Sequence, residues 1–202
     1  MPPTGTAALI TWLLISAFVT FSVAASDDAV LDTEGQPLRP GVNYYTVAAE
    51  QGNGGGLKLG STASCPPEVV QDPDEANNGL PLSFSPVDPN QTVVPLYKEN
   101  NIKFSAATVC AQSTVWRLGS DESTGERLVR TGGEEGNPGK DTLGNWFNIV
   151  DDGDAYKLVY CPTVCSFCRP NCGELGIFES NDGTRHLAIS EVPIKVVFKK
   201  AD

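Results

Sequence analysis

The chain is 202 residues long, with 25 acidic against 14 basic side chains and a formal net charge of −11. That balance argues against nucleic acid and anionic lipid as partners, because both would repel it; its plainest role is solubility. The length suffices for one domain with a sizeable core.

The first predicted element is a secretory signal over residues 1–25. Ala8 to Phe21 is almost wholly apolar, and Val23 and Ala25 are small residues where a signal peptidase prefers them. The run is too short for a membrane span and has no charged stop behind it. It departs from the usual pattern in carrying no Lys or Arg at its start. Cleavage after Ala25 leaves a chain of about 177 residues, a single domain over 26–202. The expected location is outside the cell, or a vacuole reached through the secretory pathway. Such a chain meets oxidising conditions, and its six cysteines, an even number, are expected to form three disulfides.

From Ala29 onward no helical stripe is present. Short β-branched and aromatic runs follow one another, broken by Gly, Pro, Asn and Asp. The first half predicts strands over Tyr44–Ala48, Leu57–Leu59, Glu68–Gln71, Leu82–Ser85, Thr92–Tyr97 and Ile102–Ala106. The second half predicts them over Thr114–Leu118, Arg127–Thr131, Trp146–Val150, Tyr156–Tyr160, Leu175–Glu179, His186–Ser190 and Ile194–Lys199. The 20 glycines and 15 prolines suit many tight turns. The pattern is that of an all-β sandwich or barrel, and about a dozen strands also fits three units of four, although no repeat is visible in the residues themselves. Trp116 and Trp146, each beside strand residues, read as core.

Cys161, Cys165, Cys168 and Cys172 crowd into the run YCPTVCSFCRPNC. Four thiolates at this spacing would suit a tetrahedral zinc site; nested disulfides would instead tie a short loop shut. The oxidising compartment favours the disulfides. Catalytic signals are weak. The one histidine, His186, lies in an alternating run and reads as an exposed strand residue, and no nucleophile-elbow G-x-S-x-G is present. Asp151, Asp152 and Asp154 around Gly153 do not have the spacing of an EF-hand and read as a solvated hairpin turn. No enzyme activity, cofactor or metal is expected.

The opening AVLDTEGQPLRPGVNYYTVAA over residues 29–49 resembles the N-terminal signature of the plant Kunitz-type (soybean trypsin inhibitor) family, most of all its miraculin-like members. The resemblance runs on through GGGLKLGSTASCPPEVVQ, STVWRLG, DESTGERLV, GNPGKDTLGNWFNIV, YKLVYCPTVCSFC and GIFESNDGTRHLAIS, across the whole predicted mature chain. It implies a β-trefoil, a six-stranded barrel capped by three hairpins. It also implies disulfides Cys65–Cys110, Cys161–Cys172 and Cys165–Cys168, and an endopeptidase, serine-type in the inhibitory members, as partner. A non-inhibitory seed storage or defence protein on the same scaffold is the alternative it allows.

The same resemblance places an inhibitory loop at Ser85, Pro86, Val87, Asp88, Pro89 and Asn90, where serine-protease inhibitors of the family enter their target in an extended shape. A preordered loop loses little further entropy on binding. Proteases of the trypsin type need Lys or Arg at the primary contact to pair with a buried carboxylate. Here that position falls on Asp88, followed by Pro89, and the family's loop-supporting asparagine falls on Pro40. A carboxylate facing an acidic pocket is repelled, so trypsin inhibition by this loop is expected to be weak or absent. Pro95 suggests a longer, reshaped loop, and Lys98 and Lys103 read as solvated charges. Asn90-Gln91-Thr92 is a glycosylation sequon, and a glycan there would block entry into a protease cleft. Taste-modifying members of the family use histidines that charge in acid and an extra cysteine joining two chains. Residues 49–56 and 75–80 hold no histidine and 150–156 no cysteine, so a monomer without acid-dependent taste activity is expected.

Overall fold

Period-two burial organises the barrel strands. In β1 (Tyr44–Ala48) Tyr44 and Thr46 turn inward, and in β12 (Lys195–Lys200) Val196 and Phe198 do the same. β8 (Phe147–Asp151) buries Phe147 and Ile149, and β9 (Tyr156–Tyr160) buries Leu158 and Tyr160. With β4 (Leu82–Pro86) and β5 (Glu99–Phe104) these strands form a closed ring, each antiparallel to its neighbours. The ring runs β1–β4–β5–β8–β9–β12 and closes through five paired positions between β12 and β1, from Tyr44↔Lys200 to Ala48↔Val196. Closure removes the unpaired edges that an open sheet would expose.

Three hairpins cap the ring. They are β2 (Leu57–Leu59) with β3 (Val69–Gln71), β6 (Arg117–Ser120) with β7 (Arg127–Arg130), and β10 (Gly173–Glu179) with β11 (Arg185–Ile189). β11 joins the other two, pairing His186 with Val70 and Ala188 with Leu128. Each run of four strands therefore gives two to the ring and one hairpin to the cap, the three-lobed arrangement of a β-trefoil. The computed structural model describes Met1 and residues 28–61, 65–122 and 124–201. Apart from Met1, the predicted signal and its cleavage point lie outside the described residues.

Inside the ring, apolar side chains from all three lobes meet. Phe104, Trp116, Phe147 and Tyr160 form a chain of rings with centroids 5.8–6.0 Å apart. Phe84 meets Phe198 edge-on at 5.4 Å, an arrangement aromatic quadrupoles favour. Trp116 and Trp146 are both buried, as their place beside strand residues suggested.

One predicted strand does not form. Thr92–Tyr97 is irregular: Pro95 makes an isolated bridge with Ala29 outside the strands, and the Tyr97 N–H donates to the Ile149 carbonyl of β8 at 2.9 Å. Pro95 has no N–H to give to a ladder, and Tyr97 sits at φ 57, outside the strand region. Val94 and Leu96 are buried all the same and close one side of the core. Boundaries shift most at β5, which begins at Glu99 rather than Ile102, and β6, which begins at Arg117 rather than Thr114, while most other strands move by one or two residues. A short 3-10 turn, Leu143–Asn145, has no counterpart in the sequence reading.

Candidate functional site

The candidate loop leaves the barrel at the end of β4 and returns at β5. Its base is closed by the Val87 N–H, which donates to the Glu99 carbonyl at 2.8 Å. Ser85, Pro86 and Val87 are half-buried, whereas Asp88, Pro89 and Asn90 are exposed. The tip is folded as a turn, not extended: the Gln91 N–H reaches back to the Asp88 carbonyl at 3.2 Å. Asp88 Oδ1 accepts both the Asn90 backbone N–H and its side-chain amide, each at 3.0 Å. Proline at the second position and aspartate at the first suit such a turn. The returning leg is anchored on the N-terminal segment, where Val94 N–H donates to Leu38 at 2.8 Å and Val30 N–H to Val94 at 3.0 Å.

Two carboxylates absent from the sequence reading brace this loop. Glu135 accepts from the Ser85 hydroxyl and from Lys103 Nζ at 2.7 Å, so Lys103 is ion-paired where a free solvated charge was expected. Burial pushes the Glu135 carboxyl up, but the hydrogen bonds from Lys103 and Ser85 and the lysine charge outweigh it and hold the group below its ordinary value. Glu99, itself buried, accepts from the Thr163 N–H at 2.7 Å and hydroxyl at 2.5 Å. Burial again pushes up, and the Thr163 hydrogen bonds win, so Glu99 also titrates below its usual range. Glu135 is 50 residues from Ser85 and Glu99 is 64 from Thr163; no local sequence signal announces contacts at that separation. Lys98 is exposed, as expected.

Thr163 lies within the cysteine cluster, so the loop base and that cluster are joined. The structure pairs Cys161 with Cys172 and Cys165 with Cys168, and Cys65 with Cys110. Their Cα separations of 4.5, 5.3 and 5.6 Å suit disulfides. The Cys65–Cys110 bridge encloses the candidate loop between its two ends.

His186 is not the exposed strand residue expected. Its side chain is 13% exposed, wedged between Glu68, whose Oε2 lies 2.8 Å from Nδ1, and Ser180, whose Oγ lies 3.0 Å from Nε2. The Glu68 carboxylate is close but out of line for a regular hydrogen bond. The serine–histidine–carboxylate order resembles a hydrolase triad in outline. However, the Ser180 hydroxyl also donates to Asp182 at 2.6 Å, and Arg130 draws on Glu68 at 3.0 Å. The hydroxyl thus faces an anion where a nucleophile needs room for a substrate carbonyl. In the β8–β9 turn, Asp152 is held by Lys157 and Lys195, both at 3.1 Å, and Gly153 takes the left-handed φ of 83. Hydrogen bonds from Lys195, then Lys157, hold the Asp152 carboxyl below its ordinary value.

A ring of six strands capped by three hairpins, with a braced loop between β4 and β5, can be set against known proteins. A family-wide sequence profile described as "Trypsin and protease inhibitor", of the legume Kunitz type, matches residues 30–200. The chain belongs to the Kunitz-type protease inhibitor family. It is 41% identical to Kunitz trypsin inhibitor 5 of Arabidopsis thaliana, across 96% of this chain and 97% of that one. It is 42% identical to miraculin of Synsepalum dulcificum, across 93% and 91%. Among solved structures, the Kunitz-type cysteine protease inhibitor from potato superposes with a TM-score of 0.75 at 30% identity, covering 86% of this chain and 97% of that one.

Proposed function

We propose that this Kunitz-family chain is a secreted, monomeric inhibitor of an endopeptidase other than trypsin, contacting its target through the turn at Asp88–Gln91. The observation carrying this reading is the exposed Asp88, whose carboxylate is folded onto its own turn where a trypsin-type target requires a free cation. No Lys or Arg occurs between Ser85 and Tyr97. Supporting the secreted assignment are the apolar run Ala8–Phe21 and the all-disulfide state of the cysteines. In this reading the signal ends at Ala25, and a glycan on the exposed Asn90 sequon would mask the turn, so the inhibitory form is the one without it.

The test is an inhibition panel of serine, cysteine and aspartic proteases against the secreted protein, alongside the Asp88→Arg variant and a glycosidase-treated sample checked by intact mass. The wild type should leave trypsin active at micromolar concentration and inhibit another member of the panel. Asp88→Arg should strengthen trypsin inhibition at least about tenfold, by replacing repulsion with attraction. An unchanged trypsin response in that variant would remove the turn from the contact surface. No inhibition by the wild type anywhere in the panel would leave a storage or defence role on the same scaffold.

A further inference from the structure

Behind the candidate loop lies a cavity of about 390 Å3, bounded by the loop on one side and residues 135–138 on the other. Its volume falls in the range of small-molecule sites, roughly 300–1,000 Å3. Four prolines from three separate stretches of chain converge on it: Pro40, Pro86, Pro89 and Pro138. Val87 and Trp146 complete the apolar wall.

Both sides are held in place without a ligand. Opposite the loop, Gly136 and Asn137 take consecutive left-handed conformations, at φ 80 and 50, which glycine adopts freely and asparagine tolerates. The Gly136 N–H donates to Asn101 Oδ1 at 2.7 Å, and Thr142 Oγ1 donates to the Asn137 carbonyl at 2.6 Å. On the loop side, the Asp88 turn and the Val87–Glu99 bond fix the wall.

The chemistry of the wall selects its occupant. Proline has no N–H, so the four prolines offer apolar rings and no donors. Of the remaining side-chain donors on the wall, those of Ser85, Asn101, Asn137 and Trp146 are engaged inside the protein, while the exposed Gln91 amide keeps its own for a ligand. Ser85 donates to Glu135, Asn101 Nδ2 to the Asn145 carbonyl at 2.9 Å, and Trp146 Nε1 to Thr142 at 3.2 Å. Acceptor capacity remains. Glu135 lines the cavity as an anion, and each of its oxygens receives one donor, Ser85 at one and Lys103 at the other. A carboxylate oxygen has two lone pairs, so each keeps a direction free. An anionic ligand meets the Glu135 charge, and a cationic one meets the Lys103 ammonium already on it. A neutral aromatic ring carrying a hydroxyl satisfies all of these conditions.

We propose that this cavity is a binding site for a neutral phenol-class molecule, its ring against the proline and tryptophan wall and its hydroxyl donating to Glu135. The site stands whether or not the loop inhibits a protease. The probe is 1-naphthol, with 1-methoxynaphthalene as the same ring system without a donor, each titrated into isotopically labelled oxidised protein and followed by amide and indole NMR shifts. Naphthol should shift Val87, Gly136 and the Trp146 indole saturably, and should bind about tenfold or more tighter than the ether, the effect of one hydrogen bond to a charged acceptor. Glu135→Ala should bring naphthol down to the ether's affinity, and Val87→Phe, which fills the space, should weaken both. Equal binding of naphthol and ether to the wild type overturns the proposal, as do shifts mapping elsewhere or no binding by naphthol. The wild-type comparison decides the matter even if a variant fails to fold.

Discussion

Glu99 shows how much one side chain carries. It is 7% exposed, ends the candidate loop with its backbone, and holds Thr163 of the cysteine cluster with its carboxylate. Its folded-state pKa lies below the ordinary 4.5. A depressed carboxyl stabilises the fold above its unfolded pKa, and that contribution is lost as pH falls through the folded value. Glu99→Gln should cost about 2 kcal/mol at neutral pH, the scale of a hydrogen bond to a charged group. It should also flatten the decline in stability below pH 4.5. Urea unfolding of both proteins at pH 7 and pH 3 checks this; parallel pH dependences would contradict it. Nothing near Glu99 in the sequence marks it as a brace. Asp88, by contrast, stands out along the chain through the family resemblance, which aligns it with the primary-contact position of inhibitory members.

Among elements, the two classes of cross-link differ in weight. Cys65–Cys110 joins the first hairpin region to the connection after β5 across 45 residues, whereas Cys165–Cys168 spans three. On the chain-entropy account the longer loop restricts the unfolded chain more, by about 4 kcal/mol against about 2 for the short one. Replacing Cys65 and Cys110 together with serine should therefore lower unfolding free energy about twice as much as replacing Cys165 and Cys168. Guanidinium titrations of the two double variants measure the difference, and equal losses would overturn this ordering. Most strand positions were legible because apolar and polar residues alternate along them, as in β8 and β9. Thr92–Tyr97 carried the same β-branched and aromatic signal, yet Pro95 and the left-handed Tyr97 prevent a ladder there. Burial of Val94 and Leu96 accounts for their apolar character without a strand.

For the whole molecule, closure of the ring is the decisive contact. β12 pairs with β1 at five positions and with β9 at two, and it brings Val196 and Phe198 into the core. Without it, β1 and β9 become open edges, and two core side chains are lost at about 1.5–3 kcal/mol each. Against a typical domain stability of about 5–15 kcal/mol, removing residues 195–202 should abolish cooperative unfolding. A calorimetric transition surviving in the truncated protein would contradict that.

The sequence by itself determined the class of fold, the number of strands to within one, the family and the absence of a basic residue between Ser85 and Tyr97. These follow from local periodicity, turn residues and a long signature, all of which are written along the chain. Only the tertiary structure decided that Glu135 and Glu99 brace the loop, that His186 is enclosed by Glu68 and Ser180, and that four prolines meet in one cavity. Each of those depends on residues far apart in the chain, brought together when the barrel closes, and no neighbouring residue reports such a meeting.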